Sequence, residues 1–184
     1  MKIEEKYLEK IKSENIFIDI YTDHYEESFY GFIINYTDNL ILIEKYNDDF
    51  IYDGISVFQR ENITRIKWNG NDINSCLSLV DLSKRNEKIK NLKLENLKNT
   101  IEEISARYNY VTLYIEDIDK GMCIIGEIEE IDEETIVINQ YGTKSTLDRT
   151  FIMISLNDVT KVEAGGVYEE NLLNLYKKTT HNNG

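Results

Sequence analysis

The sequence predicts a mainly β protein with flanking helices, organised as two tandem small barrels of five strands, each barrel preceded by an α-helix. Three observations carry this expectation. Residues paired at an offset of 95, as Gly31 is with Gly126, match over much of the chain. Within each copy, apolar residues recur at the two-residue period of a strand with one wet face. Polar clusters rich in Asn, Asp and Thr interrupt the apolar runs at short intervals, as tight turns do.

The repeat sets the organisation, since self-similarity at a fixed period marks a structural unit used more than once. Ile16, Ile18 and Ile20 align with Val111, Leu113 and Ile115, and Ile41-Leu42-Ile43 aligns with Ile136-Val137-Ile138. Tyr46 falls on Tyr141 and Asp53 on Asp148. One inserted residue then moves the offset to 96, where Ile63-Thr64-Arg65-Ile66 meets Val159-Thr160-Lys161-Val162. The domains read as 1–83, a first helix-plus-barrel repeat, and 84–184, a linker helix with the second barrel repeat.

In chain order, residues 2–13 place Ile3, Tyr7, Leu8 and Ile11 on one helical stripe. Strands are expected near 16–22, 28–36, 40–46, 51–60 and 63–68, with a short helix around 72–82. Leu94, Leu97, Ile101 and Ile104 predict a linker helix over 87–107. The second set of strands is expected near 110–116, 122–131, 135–141, 146–156 and 159–164, followed by a helix over 167–178.

A helix followed by five short, strongly bent strands resembles the Sm-like fold, a small barrel; an SH3-like barrel shares much of this pattern. Val57-Phe58-Gln59-Arg60-Glu61-Asn62-Ile63-Thr64-Arg65-Ile66 is similar to the second Sm motif, and Ile152 to Val162 holds the same place in the second copy. Gly31 and Gly126 sit where that family bends its second strand. The resemblance implies association through the fourth and fifth strands, which makes 51–68 and 146–164 the expected surfaces for homo-oligomers. It does not carry the family's RNA-binding residues. Ile41 and Ile136 stand where an asparagine follows the aspartate, here Asp38 or Asp132, and Glu61 replaces the glycine after Arg60.

Composition narrows the function classes. The formal net charge of -13 disfavours nucleic acid as a partner, because phosphate binding depends on neutralising cations. No apolar run has the length a membrane helix requires, and the charged start Lys2-Ile3-Glu4-Glu5-Lys6 is unlike a signal peptide. Cys76 and Cys123 form no CxxC pattern, which reads as a pair of structural thiols in a bacterial cytoplasm. His24 and His181 have no partners at ligand or triad spacing, and no phosphate-loop or nucleophile-elbow motif occurs. The expectation is a protein that is not an enzyme and holds no cofactor or metal.

Two features point to binding. The first copy holds more aromatics than one small barrel can bury, among them Phe32, Tyr52 and Trp68, and with Arg60 they make candidate anchors for a protein partner, one of basic character given the acidic chain. Lys84, Arg85, Lys88, Lys90, Lys93 and Lys98 form a basic stripe on the expected linker helix. There, Lys88 and Lys93 with Arg60 would offer charge to an anionic small ligand such as a nucleotide or nucleotide signal. The leading expectation is an adaptor, or an immunity-type inhibitor, that recognises another protein through an aromatic surface.

Overall fold

The computed structural model describes residues 2–85, 89 and 91–181, with the side chains of all but Lys84, Thr179, Thr180 and His181. The chain divides into two compact units, Met1–Asn96 and Leu97–Gly184. Both are mainly β, with antiparallel strands and flanking helices. No helix of the described residues is long and apolar enough to cross a membrane.

The first unit opens with α1 (Ile3–Ser13), which ends where Asn15 takes a left-handed backbone (φ 53°). The Ile16 N–H then donates back to the Ile11 carbonyl, a closure that asparagine tolerates better than most residues. Five strands follow: β1 (Phe17–Thr22), β2 (Glu27–Tyr36), β3 (Leu40–Tyr46), β4 (Tyr52–Gln59) and β5 (Arg65–Trp68). They lie in the order β5-β1-β2-β3-β4. The helix α2 (Asn71–Leu77) comes last. A 3-10 turn at Arg60–Asn62 carries the chain across to β1, so β5 pairs with β1 and not with β4. The sheet is therefore open, and the expected closed barrel is not formed.

Both faces of this sheet are covered. Leu8 and Ile11 of α1 pack on Ile18, Ile20, Ile33, Ile41, Ile43 and Phe58. On the opposite face Phe17, Phe32 and Tyr46 pack with Ile73 of α2 and Val80. This corrects the expected aromatic surplus at the surface. Phe32 and Tyr46 are buried, and Tyr21, Tyr25, Phe29, Tyr30, Tyr36, Phe50, Tyr52 and Trp68 are half-buried. A second apolar layer supplied by α2 and the chain after it turns the supposed wet face into an interior, and ring area dominates its packing.

That interior also holds a carboxylate. Glu44 is 1% exposed and accepts from the Arg85 Nε at 2.8 Å and the Tyr46 hydroxyl at 3.0 Å. The Arg85 guanidinium lies 4.0 Å from the Phe32 ring centroid. A buried carboxylate is tolerable only when paired and hydrogen-bonded in this way. Burial and the neighbouring Glu44 push the Tyr46 phenol well above its usual range.

The second unit follows the same element sequence: α3 (Leu97–Tyr108), β6 (Val111–Tyr114), β7 (Cys123–Ile131), β8 (Thr135–Tyr141), β9 (Arg149–Ser155), β10 (Lys161–Ala164) and α4 (Val167–His181). Its order is β10-β6-β7-β8-β9, again open. Equivalent details recur. Register shifts fall at Ile33/Asn35 in β2 and at Ile128/Glu130 in β7. A Cβ on Gly31 would lie 2.2 Å from the Glu44 carbonyl oxygen, and one on Gly126 would lie 2.5 Å from that of Asn139. Only glycine lets the neighbouring strand approach so closely. Thr37 and Asp132 each cap the following hairpin by accepting two backbone N–H groups.

One element departs from expectation. The helix predicted over 87–107 begins at Leu97, directly after Asn96, a residue type favoured before a first turn. Leu92 and Leu94 are buried with Lys93 exposed between them, the alternation of extended chain. The basic stripe therefore does not lie on one helix.

Candidate functional site

An apolar recess of the first unit runs between α1 and β5. The groove has a volume of about 510 Å³ and a floor of Tyr7, Leu8, Ile11, Ile63, Ile66 and Trp68. Each contribution follows from local structure. Tyr7 and Leu8 lie on the α1 stripe, but only Leu8 and Ile11 reach the core, while Tyr7 stays 40% exposed. Alternation along β5 sends Ile66 and Trp68 toward α1 and leaves Arg65 and Lys67 on the other face. The Tyr7 and Trp68 rings meet with centroids 5.7 Å apart, and β5 has a strand neighbour on one side only.

Arg60, on the 3-10 turn, closes one end. Its Nη2 sits 2.6 Å from a Glu4 oxygen and its Nη1 donates to the Thr37 carbonyl at 2.8 Å, which fixes the guanidinium between α1 and the β2–β3 hairpin. An adjoining recess of about 520 Å³ is lined by Lys2, Glu4, Glu5, Asp38, Arg60 and Glu61. Four carboxylates against two cations make this end of the groove acidic.

The outer face of β5 is locked differently. Arg65 forms a bidentate pair with Asp23 at 2.9 and 2.6 Å and stacks 3.9 Å from the Tyr21 ring centroid. Lys67 donates to the Tyr21 hydroxyl at 2.8 Å, and that hydroxyl donates to the buried Asp19. Hydrogen bonds from Arg65 and then Thr64 hold the Asp23 carboxyl down at about 2. Burial acts oppositely on Asp19, raising it despite the Tyr21 hydrogen bond.

No protein-family model matches the chain, and no curated protein or solved structure matches it either.

Of the candidate residues, the structure brings Arg60 and Trp68 into one groove. Phe32 is buried, 1% exposed, and Tyr52 is half-buried edge-on to Tyr46 at 6.2 Å. Lys88 lies outside the described residues, and Lys93 is exposed before α3 and is not part of the groove lining. Two members of the former basic stripe are engaged within their own units, Arg85 with Glu44 and Lys98 with Glu133 at 3.0 Å. Tyr7 and Glu4 are not among the binding candidates that the sequence suggests. Tyr7 carried a weak signal, its place on the α1 stripe beside residues that do reach the core.

Two lining residues of the groove have small or apolar buried counterparts in the second unit. At an offset of 96, Arg60 and Trp68 correspond to Leu156 and Ala164, which are only 5% and 1% exposed. The second unit instead has a small recess of about 270 Å³ bounded by Cys123, Tyr141, the 142–148 loop and Tyr168. Burial pushes the Cys123 thiol up, which opposes thiolate chemistry there. Among the described residues no cluster of three or more metal-ligating side chains is assembled.

Proposed function

We propose that the chain is a non-enzymatic binding protein, built by tandem duplication of an Sm-like open barrel, whose first unit captures an extended segment of a basic partner protein. The observation that carries this reading is the apolar groove beside the edge strand β5, with Trp68 and Tyr7 on its floor and carboxylates at one end. An edge strand offers unpaired main-chain groups to an added strand, and pockets beside it select alternate side chains. Trp and Tyr are the side chains that most often anchor such contacts, and a net charge of -13 favours a cationic partner. An adaptor or an inhibitor of a basic protein would use such a groove.

The duplication is supported by the matching strand orders, the paired glycines and the 3-10 turns at Arg60–Asn62 and Leu156–Asp158. Self-association through 51–68 and 146–164 belongs to the same reading, since β5 and β9 both carry a strand neighbour on one side only. The nucleotide alternative draws less support, because the Arg60 charge is already engaged by Glu4.

Peptide display against the full chain tests the groove. Enriched sequences are expected to alternate apolar residues and to carry Lys or Arg. Trp68→Ala with Tyr7→Ala should abolish their binding, and Glu4→Gln with Glu61→Gln should weaken it in a salt-dependent way. Enriched peptides that bind the Trp68→Ala variant unchanged, with its fold intact by circular dichroism, refute the groove as the site.

A further inference from the structure

The second unit ends in an edge of its own, far in character from the groove. β9 reads Arg149-Thr150-Phe151-Ile152-Met153-Ile154-Ser155 and has β8 on one side only. Phe151 is 63% exposed and Met153 is 72% exposed, on the same face of the strand. Ile55 and Val57 hold the matching positions on β4 and are exposed by 0% and 1%. The position is one that the fold buries elsewhere. Natural sheet edges are usually blunted by lysine, proline or a bulge, and β9 has none of these.

The main chain sets which groups are available. The Leu156 N–H donates to the Glu134 carbonyl and the Gly142 N–H to the Asp148 carbonyl, and both pairs lie in register with the β8–β9 ladder. Antiparallel alternation between those two bonds directs Thr150, Ile152 and Ile154 at β8. Arg149, Phe151, Met153 and Ser155 therefore turn their N–H and C=O groups outward.

We propose that β9 pairs with β9 of a second copy of this chain, antiparallel about a two-fold axis at Ile152. That residue is the midpoint of the strand, and the register sets outward-directed residues against outward-directed residues. Phe151 then lies opposite Met153 of the second copy, and Met153 opposite its Phe151, giving two sulfur–aromatic cross-strand pairs on one face. Arg149, the strand's only charge, faces Ser155 of the second copy, so no like charges meet. Arg149 is already held by Glu127 at 3.3 Å and by the Asn139 carbonyl at 2.9 Å. Four large side chains and two strand edges cover several hundred Å², below the roughly 1,600 Å² of a standard interface. The dimer is accordingly a concentration-dependent one, and it would present two grooves to a partner.

Sedimentation equilibrium of the full chain, from micromolar to submillimolar concentration, tests this. The expected result is a monomer–dimer equilibrium, with the dissociation constant raised roughly tenfold or more in Phe151→Lys/Met153→Lys. Both residues are exposed, so the variant should keep the wild-type circular dichroism and melting temperature. In a Cys76→Ser/Cys123→Ser background, Ile152→Cys should form a disulfide-linked dimer under mild oxidation and Ile154→Cys should not. A monomer throughout, a dimer insensitive to the lysine pair, or assemblies larger than two copies would each overturn the proposal.

Discussion

Replacing Arg85 by methionine isolates Glu44, a carboxylate buried in the aromatic interior of the first unit. Arg85→Met removes the 2.8 Å contact to Glu44 and the guanidinium packed 4.0 Å over Phe32, and leaves Glu44, 1% exposed, with the Tyr46 hydroxyl. Removing one partner of a buried ion pair costs about 3–5 kcal/mol, because the remaining charge stays desolvated. The Arg85 side chain keeps 17% exposure, which places the expected loss at the lower end, about 3 kcal/mol. For a chain of this length each kcal/mol moves the melting temperature by about 2–4 °C, so the variant should melt about 6–12 °C lower. Glu44→Gln added to Arg85→Met removes the charge and keeps an acceptor for Tyr46, and should return stability to within about 1 kcal/mol of wild type. Urea unfolding at neutral pH, followed by the fluorescence of Trp68, the single tryptophan, reads the first unit directly. A loss below about 1 kcal/mol for Arg85→Met, or a double variant no more stable than the single one, would refute the reasoning.

Further outcomes follow from the same geometry. Gly31→Ala and Gly126→Ala force a methyl to 2.2 and 2.5 Å from a backbone oxygen and should each cost about 2 kcal/mol or more in a thermal melt, whereas Gly121→Ala, whose nearest neighbour is 3.6 Å away, should be close to neutral. Tyr110→Phe strips the acceptor from the Gly165 N–H, now bonded at 2.8 Å, and should cost about 1–3 kcal/mol by urea unfolding. The Asp23 carboxyl should titrate at about 2 by NMR and return toward about 4 in Arg65→Met. Its pKa is depressed on folding, so its stabilising contribution is present above about 4 and is lost as pH falls toward 2. A titration near 4 in the wild-type protein would show that the Arg65–Asp23 pair does not hold in solution.

Much of the secondary structure was legible because strand periodicity is local. The alternation at Ile16, Ile18 and Ile20 and the polar turns at Thr37-Asp38-Asn39 and Asp132-Glu133-Glu134 place β1, β3 and β8 within a residue or two of their observed bounds. Gly31 and Gly126 stood out as paired glycines, and the close approach of the Glu44 and Asn139 carbonyls shows why no side chain fits there. The 87–107 helix was misread because Leu94, Leu97, Ile101 and Ile104 fit a helical stripe, although Leu92 and Leu94 belong to an extended stretch. For the candidate site, Arg60 and Trp68 were legible as residues but not as neighbours, and Tyr7 and Glu4 enter only because α1 lies along β5.

The sequence by itself determined the order of helices and strands and the acidic balance, since each depends on residues a few positions apart or on composition alone. The tertiary structure decided what is inside. Whether Phe32 and Tyr46 face water depends on α2 and Val80, which lie more than a turn or hairpin away along the chain. The fate of Arg85 depends on Glu44, 41 residues distant, and that of Trp68 on Tyr7 at the other end of the first unit. Alternation states that a strand has two faces; only the packing of later elements determines which face is dry, because burial is a property of neighbours in space and leaves no mark on the period of the strand itself.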